Sequence, residues 1–175
     1  MSIRTLAPLL AITASLAANG AQSATTGTLR FAGQVNAGTC NLAAGDVNRT
    51  VTLPTIKVSD FDAAPSAGSY DFELGADCES DIRNVIFLFT GKPAAGNHAL
   101  FLNTGTSGGT ALSLSHRASA PYQVPANGTV AQRSRTIATS NNKAVLPLTA
   151  AYYKTGEAIT QGTLVSAVTV SITYD

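Results

Sequence analysis

Val165-Ser-Ala-Val-Thr-Val-Ser-Ile-Thr-Tyr-Asp175 alternates apolar and polar residues with a period of two, the signature of a half-buried β-strand. A strand needs a neighbour on each side or stands as an exposed sheet edge, so its place at the end of the sequence predicts an unfilled position beside it. Near the other end, Leu29-Arg-Phe-Ala-Gly-Gln-Val-Asn-Ala37 alternates in the same way and sets Leu29, Phe31, Gly33, Val35 and Ala37 on one face. Gly33 lies in the middle of that face, where a glycine weakens a strand unless another surface approaches closely. The two segments together predict a chain that lends one strand and borrows another.

The first residues read as an export signal. Arg4 precedes an apolar run from Leu6 to Ala18, followed by the small-residue sequence Ala21-Gln-Ser-Ala24, the layout of a cleaved secretory leader. The run is too short to span a membrane, and cleavage is expected after Ser23 or Ala24. Loss of Arg4 with the leader reduces the 11 Lys+Arg to 10, equal to the 10 Asp+Glu, so nucleic acid is not an expected partner. Charged residues make up only 12% of the sequence, low for a free monomer and suited to a protein in contact with its own copies. The 175 residues leave room for one core. The expected divisions are leader 1–23, amino-terminal arm 24–37 and domain 38–175.

Cys40 and Cys78 are the only cysteines. Export places them in an oxidising compartment, where a disulfide is the expected state, and the Cys-x-x-Cys pair of redox proteins is absent.

Beyond the leader the pattern is strand and turn. Candidate strands are 29–37, a short run through Cys40, 50–53, 69–74, 83–90, 99–102, 110–115, 122–124, 143–153 and 164–174. Turn residues separate them, as at Pro65–Gly68, Asn127-Gly128, Asn141-Asn142 and Gln161-Gly162. Short strands at this spacing predict an all-β sandwich. Val85-Ile-Phe-Leu-Phe89, apolar on both faces, is the expected centre of the core, and 153–164 reads as a hairpin that lays the last strand beside the one before it.

Gly105-Thr-Ser-Gly-Gly109 carries the letters of a hydrolase nucleophile elbow, but that turn needs a helix after it, and Thr110-Ala-Leu-Ser-Leu-Ser115 follows with period two. His98 and His116 therefore gain no nucleophile to serve. A zinc site from Cys40, Cys78, His98 and His116 has spacings unlike those of structural zinc sites. Asn48-Arg-Thr50 and Asn127-Gly-Thr129 match glycosylation acceptors but read more simply as turns. No catalysis, metal or cofactor is expected.

The ordered set Gly27-Thr-Leu-Arg-Phe-Ala-Gly-Gln-Val leading into Cys40, Gly75-Ala-Asp-Cys78, Pro147-Leu-Thr-Ala-Ala-Tyr-Tyr153 followed by Thr155-Gly156, and penultimate Tyr174 resembles a bacterial chaperone-usher pilin of the type 1 fimbrial kind. The resemblance implies an incomplete immunoglobulin-like sandwich that lacks its last strand and is completed by a donor strand from a partner. It implies a groove beside the final strand, lined by Val168, Val170, Ile172 and Tyr174, filled first by a periplasmic chaperone. At an outer-membrane usher the arm of another pilin subunit, with Leu29, Phe31, Gly33, Val35 and Ala37 inward, would replace the chaperone. The implied product is a cell-surface fimbria supporting adhesion. Two other expectations compete: a secreted soluble β-sandwich that pairs 29–37 in its own sheet and binds, for example, carbohydrate, and a minor adaptor or terminator pilin.

Overall fold

Every position of Val85–Phe89 is apolar, and in the computed structural model of the chain this run is the middle of β3 (Asn84–Gly91). Val85, Phe87 and Phe89 are sealed in the core, while Ile86 and Leu88 on the other face are half-buried. The structure describes residues 28–118 and 120–175. The leader reading lies outside the described residues. Asn36–Asp175 forms one unit, and residues 28–35 belong to another.

The remaining elements are β1 (Cys40–Leu42), β2 (Ser66–Cys78), β4 (Thr110–His116), β5 (Tyr122–Gln123), α1 (Val130–Arg133), β6 (Ser134–Ala138), β7 (Lys143–Lys154) and β8 (Val168–Tyr174). They form a five-stranded sheet in the order β1-β2-β7-β4-β5 and a three-stranded sheet in the order β6-β3-β8, with every pair antiparallel. The inward residues Leu74 and Ala76 of β2, Ala144, Leu146 and Leu148 of β7 and Leu114 of β4 meet Val85, Phe87 and Phe89 of β3 in one cluster. Two sheets sharing an alternating core make the β-sandwich expected from the pattern.

The structure corrects several strand expectations. The last strand does not lie beside β7, because β2 and β4 already occupy both edges of β7. The chain crosses to the other sheet and pairs with β3 instead. The strand begins at Val168 rather than Leu164, since Thr163 and Val165 are taken by the loop at 104–107. Residues 50–53 and 29–37 form no strand, and 99–102 makes only single bridges from Phe101 to Pro93 and Leu112. The pattern of β6 gives little sign of a strand: Ser-Arg-Thr-Ile-Ala has one large apolar residue. The capping box in front of it is a legible signal, for Thr129 Oγ1 accepts from Gln132 N and Gln132 Oε1 accepts from Thr129 N.

Ser140 and Lys143 exchange both backbone hydrogen bonds around Asn141 and Asn142, whose φ values are 51° and 62°. Asparagine tolerates this left-handed pair and a β-branched residue does not. Asn142→Val is expected to cost about 1–2 kcal/mol, read from the urea midpoint, whereas Asn142→Gly leaves it nearly unchanged.

Candidate functional site: the open edge at β8 and the amino-terminal arm

Antiparallel pairing joins β8 to β3 from Gly91↔Val168 to Val85↔Tyr174, and among the described residues the sheet order leaves the other side of β8 without a neighbour. Val168, Val170 and Ile172 point at the common core yet remain half-buried, while Thr169, Ser171, Thr173 and Tyr174 are exposed. The contrast with β3 is direct, since Val85 and Phe87 at the centre of the same sheet have 0% exposure. Apolar residues that reach a core but stay partly uncovered, beside a row of unpaired backbone groups, describe a core missing one strand.

Other parts of the domain repeat the deficit. β1 approaches β8, and the half-buried Leu42 and Leu53 pack on the same core cluster. Among the described residues, the backbone from Val47 to Ile56 makes no hydrogen bond to other backbone. This stretch is held by side-chain contacts such as Arg49, whose Nη1 donates to the Asp46 carboxylate at 3.0 Å and to Glu73 O at 2.6 Å. Its guanidinium also lies over the Phe72 ring.

The arm shows the reverse condition. Leu29, Phe31 and Val35 are 82, 91 and 98% exposed, and Gly33 and Ala37 are exposed with them. Three large apolar side chains in water on one face of the alternation, with Gly33 between Phe31 and Val35, are the kind of exposed apolar surface that marks an interaction site. The domain end of the arm is fixed: Gly38 N donates to Asp81 Oδ2 at 2.8 Å, and Glu79 N donates to Thr39 O at 2.9 Å. Gly38 is buried so closely against the Asp81 and Glu79 side chains that a Cβ there has no room. Cys40 and Cys78 face each other across β1 and β2 and are joined as a disulfide.

The residues considered for chemistry are otherwise engaged. Ser107 Oγ donates to Thr160 O at 2.9 Å, and its loop runs straight into β4 with no helix. Both cysteine sulfurs are bonded to each other, which removes them as zinc ligands, and His98 is exposed. His116 lines an open cleft of about 580 Å³ with Tyr122, Gln123, Gln132 and Arg135. Burial, and then the charge of Arg135, lower the His116 pKa. Arg135 itself serves as a strut between sheet edges, donating to Gln123 O, Gln132 O and Ser134 O.

An immunoglobulin-like sandwich short of one edge strand, carrying an exposed apolar arm of strand period, defines a subunit built for completion by another chain. A family model for fimbrial protein matches residues 29–175, and the chain belongs to that family. It is 27% identical over 187 aligned residues to the type-1 fimbrial protein A chain of Escherichia coli strain K12, covering 99% of this chain and 100% of that one. Among solved structures it is similar to a chaperone-usher pilus, with a TM-score of 0.62 at 20% identity, covering 87% of this chain and 98% of that chain. The P pilus rod subunit PapA gives the same TM-score of 0.62 at 19% identity over 78% of this chain and 99% of that one. The incomplete pilin sandwich is thus the fold of this chain, and the protein is a structural fimbrial subunit rather than an enzyme.

Proposed function

We propose that this subunit is exported through the periplasm and polymerises into a surface fimbria by strand exchange, its own residues 24–37 filling the β8 edge of another copy or of a related pilin. The observation that carries the reading is the match between an uncovered row, Val168, Val170 and Ile172, and an exposed row of the same period, Leu29, Phe31 and Val35. Strand addition supplies main-chain hydrogen bonds along the edge and places alternate side chains in the groove; chaperone–pilin complexes are an established instance. Burying each of the three large arm residues contributes about 1.5–3 kcal/mol, and each main-chain bond about 1 kcal/mol.

In this reading Gly33 and Ala37 complete the inward face of the donor where the groove is shallow, and Tyr174 borders its far end. A periplasmic chaperone holds the open edge until an outer-membrane usher presents the next arm. Because the incoming strand completes a core, exchange runs downhill without nucleotide. The contact is head to tail and does not close on itself, so it propagates as a fibre that supports adhesion.

The test is refolding of the oxidised mature chain with and without a synthetic peptide of residues 25–37. Bound peptide is expected to raise Tm by on the order of 10–30 °C, from several kcal/mol at about 2–4 °C per kcal/mol. Refolding to an equally stable monomer indifferent to the peptide would overturn the reading in favour of a self-sufficient secreted domain.

A further inference from the structure

The Gly105-Thr-Ser-Gly-Gly109 motif has a structural use that bears on the open edge. The chain leaves β7 in the five-stranded sheet and enters β8 in the three-stranded sheet through residues 155–167, and the loop at 103–109 grips that crossover. Asn103 is the centre of the grip. Its Nδ2 donates to Ser107 O at 2.9 Å, Thr110 Oγ1 at 3.2 Å and Thr163 O at 3.3 Å. Its Oδ1 accepts from Gly105 N at 2.8 Å and Val165 N at 2.9 Å. One side chain therefore ties the loop to itself, to the first residue of β4 and to the crossover.

The neighbours tighten the same contact. Thr104 N and Oγ1 both donate to Val165 O, at 2.7 and 3.1 Å, and Ser107 N donates to Thr163 O at 3.0 Å. Thr106 N donates to Thr163 Oγ1 at 3.1 Å, Thr163 N to Thr106 Oγ1 at 3.0 Å, and Gly108 N to Thr160 Oγ1 at 2.8 Å. The two backbones are pressed together so closely that Gly105 and Gly162 leave no space for a Cβ, and one on Gly109 would lie 2.5 Å from Ala158 O. Gly109 and Gly162 also have φ of +65° and +156°, the region that favours glycine.

This latch holds Val165 three residues before β8 begins at Val168. Among the described residues β8 has a strand partner on one side only, so the register and direction of its other edge depend on β3 and on how its first residues are delivered. We infer that Asn103 is a positioning residue for donor-strand capture: it fixes the crossover so that Val168, Val170 and Ile172 present a preformed edge before any donor arrives. The inference rests on the strand-exchange reading above. A preformed edge spares the incoming strand part of the ordering cost of binding, and that saving is felt in the rate of capture.

The experiment measures association of a fluorescent peptide of residues 25–37 with the oxidised mature chain, together with hydrogen exchange at β8 amides. Asn103→Ala is expected to slow capture about tenfold and to speed exchange in β8 relative to β2 and β7, the loss expected when net hydrogen bonds are removed. Thr163→Val, an exposed and milder cut, keeps the fold and slows capture about threefold. Thr110→Val is the control: it removes the bonds of the Thr110 hydroxyl to Asn103 and Ser107 at the β4 side of the loop, but leaves every bond from the loop to Thr163 and Val165, so capture stays within about twofold of the parent chain. Wild-type rates in both Asn103→Ala and Thr163→Val, or slowing in Thr110→Val equal to theirs, would overturn the latch while leaving strand exchange intact. Failure of the parent chain to capture the peptide would instead overturn strand exchange itself.

Discussion

Phe31→Asp together with Val35→Asp is expected to abolish entry of this subunit into fibres while leaving the subunit itself unchanged in stability. Both side chains are almost wholly in solvent, 91 and 98% exposed, so charging them removes nothing from the fold of their own domain. In a groove lined by Val168, Val170 and Ile172 the same carboxylates would be buried without partners, a cost of several kcal/mol each that replaces a gain of about 1.5–3 kcal/mol. The difference exceeds what one added strand can recover from its main-chain bonds. The variant should still accept the 25–37 peptide with parental Tm, because its own β8 edge is untouched, yet polymer on a denaturant-resistant gel should fall to background. Normal polymer from the double variant would show that the arm is not the donor. A fall in Tm of the peptide-bound variant would show instead that the arm contributes to its own domain.

The sandwich and its core were legible because strand patterning is local: the continuous apolar run within 83–90 and the alternation of 110–115 and 143–153 all became strands within a residue or two of their expected limits. Topology was harder to read. Nothing within the 153–164 segment says that β7 is flanked on both edges by distant strands, and that occupancy sends the last strand to the opposite sheet. The same logic explains residues 50–53, whose alternation is real but whose partner is missing among the described residues. Of the open edge, the alternation of Val168, Val170 and Ile172 was visible, whereas their partial exposure arises only when the two sheets stack. The Asn103 latch was invisible for a different reason. Its side chains are small and polar, divided between the loop at Asn103 to Ser107 and the distant Thr160 and Thr163, and they read as loop; the glycines hinted at a close approach without naming the surface approached.

Replacing both cysteines, Cys40→Ser with Cys78→Ser, is expected to leave the uncomplemented chain largely unfolded. The bridge closes a separation of 38 residues, and on the chain-entropy model such a cross-link stabilises the fold by about 4 kcal/mol. Small domains have only about 5–15 kcal/mol in total, and this one also lacks an edge strand. β1 is three residues long, and among the described residues β2 is its one hydrogen-bonded strand partner, so its backbone has few other ties. Its loss also frees the Gly38–Asp81 and Thr39–Glu79 contacts that lie just before β1. Urea unfolding with and without the 25–37 peptide separates the two consequences. The double variant alone should show little cooperative transition, whereas with saturating peptide the completed core should restore one at a lower midpoint than in the parent. An unchanged midpoint without peptide would mean that the two sheets hold themselves together without the bridge.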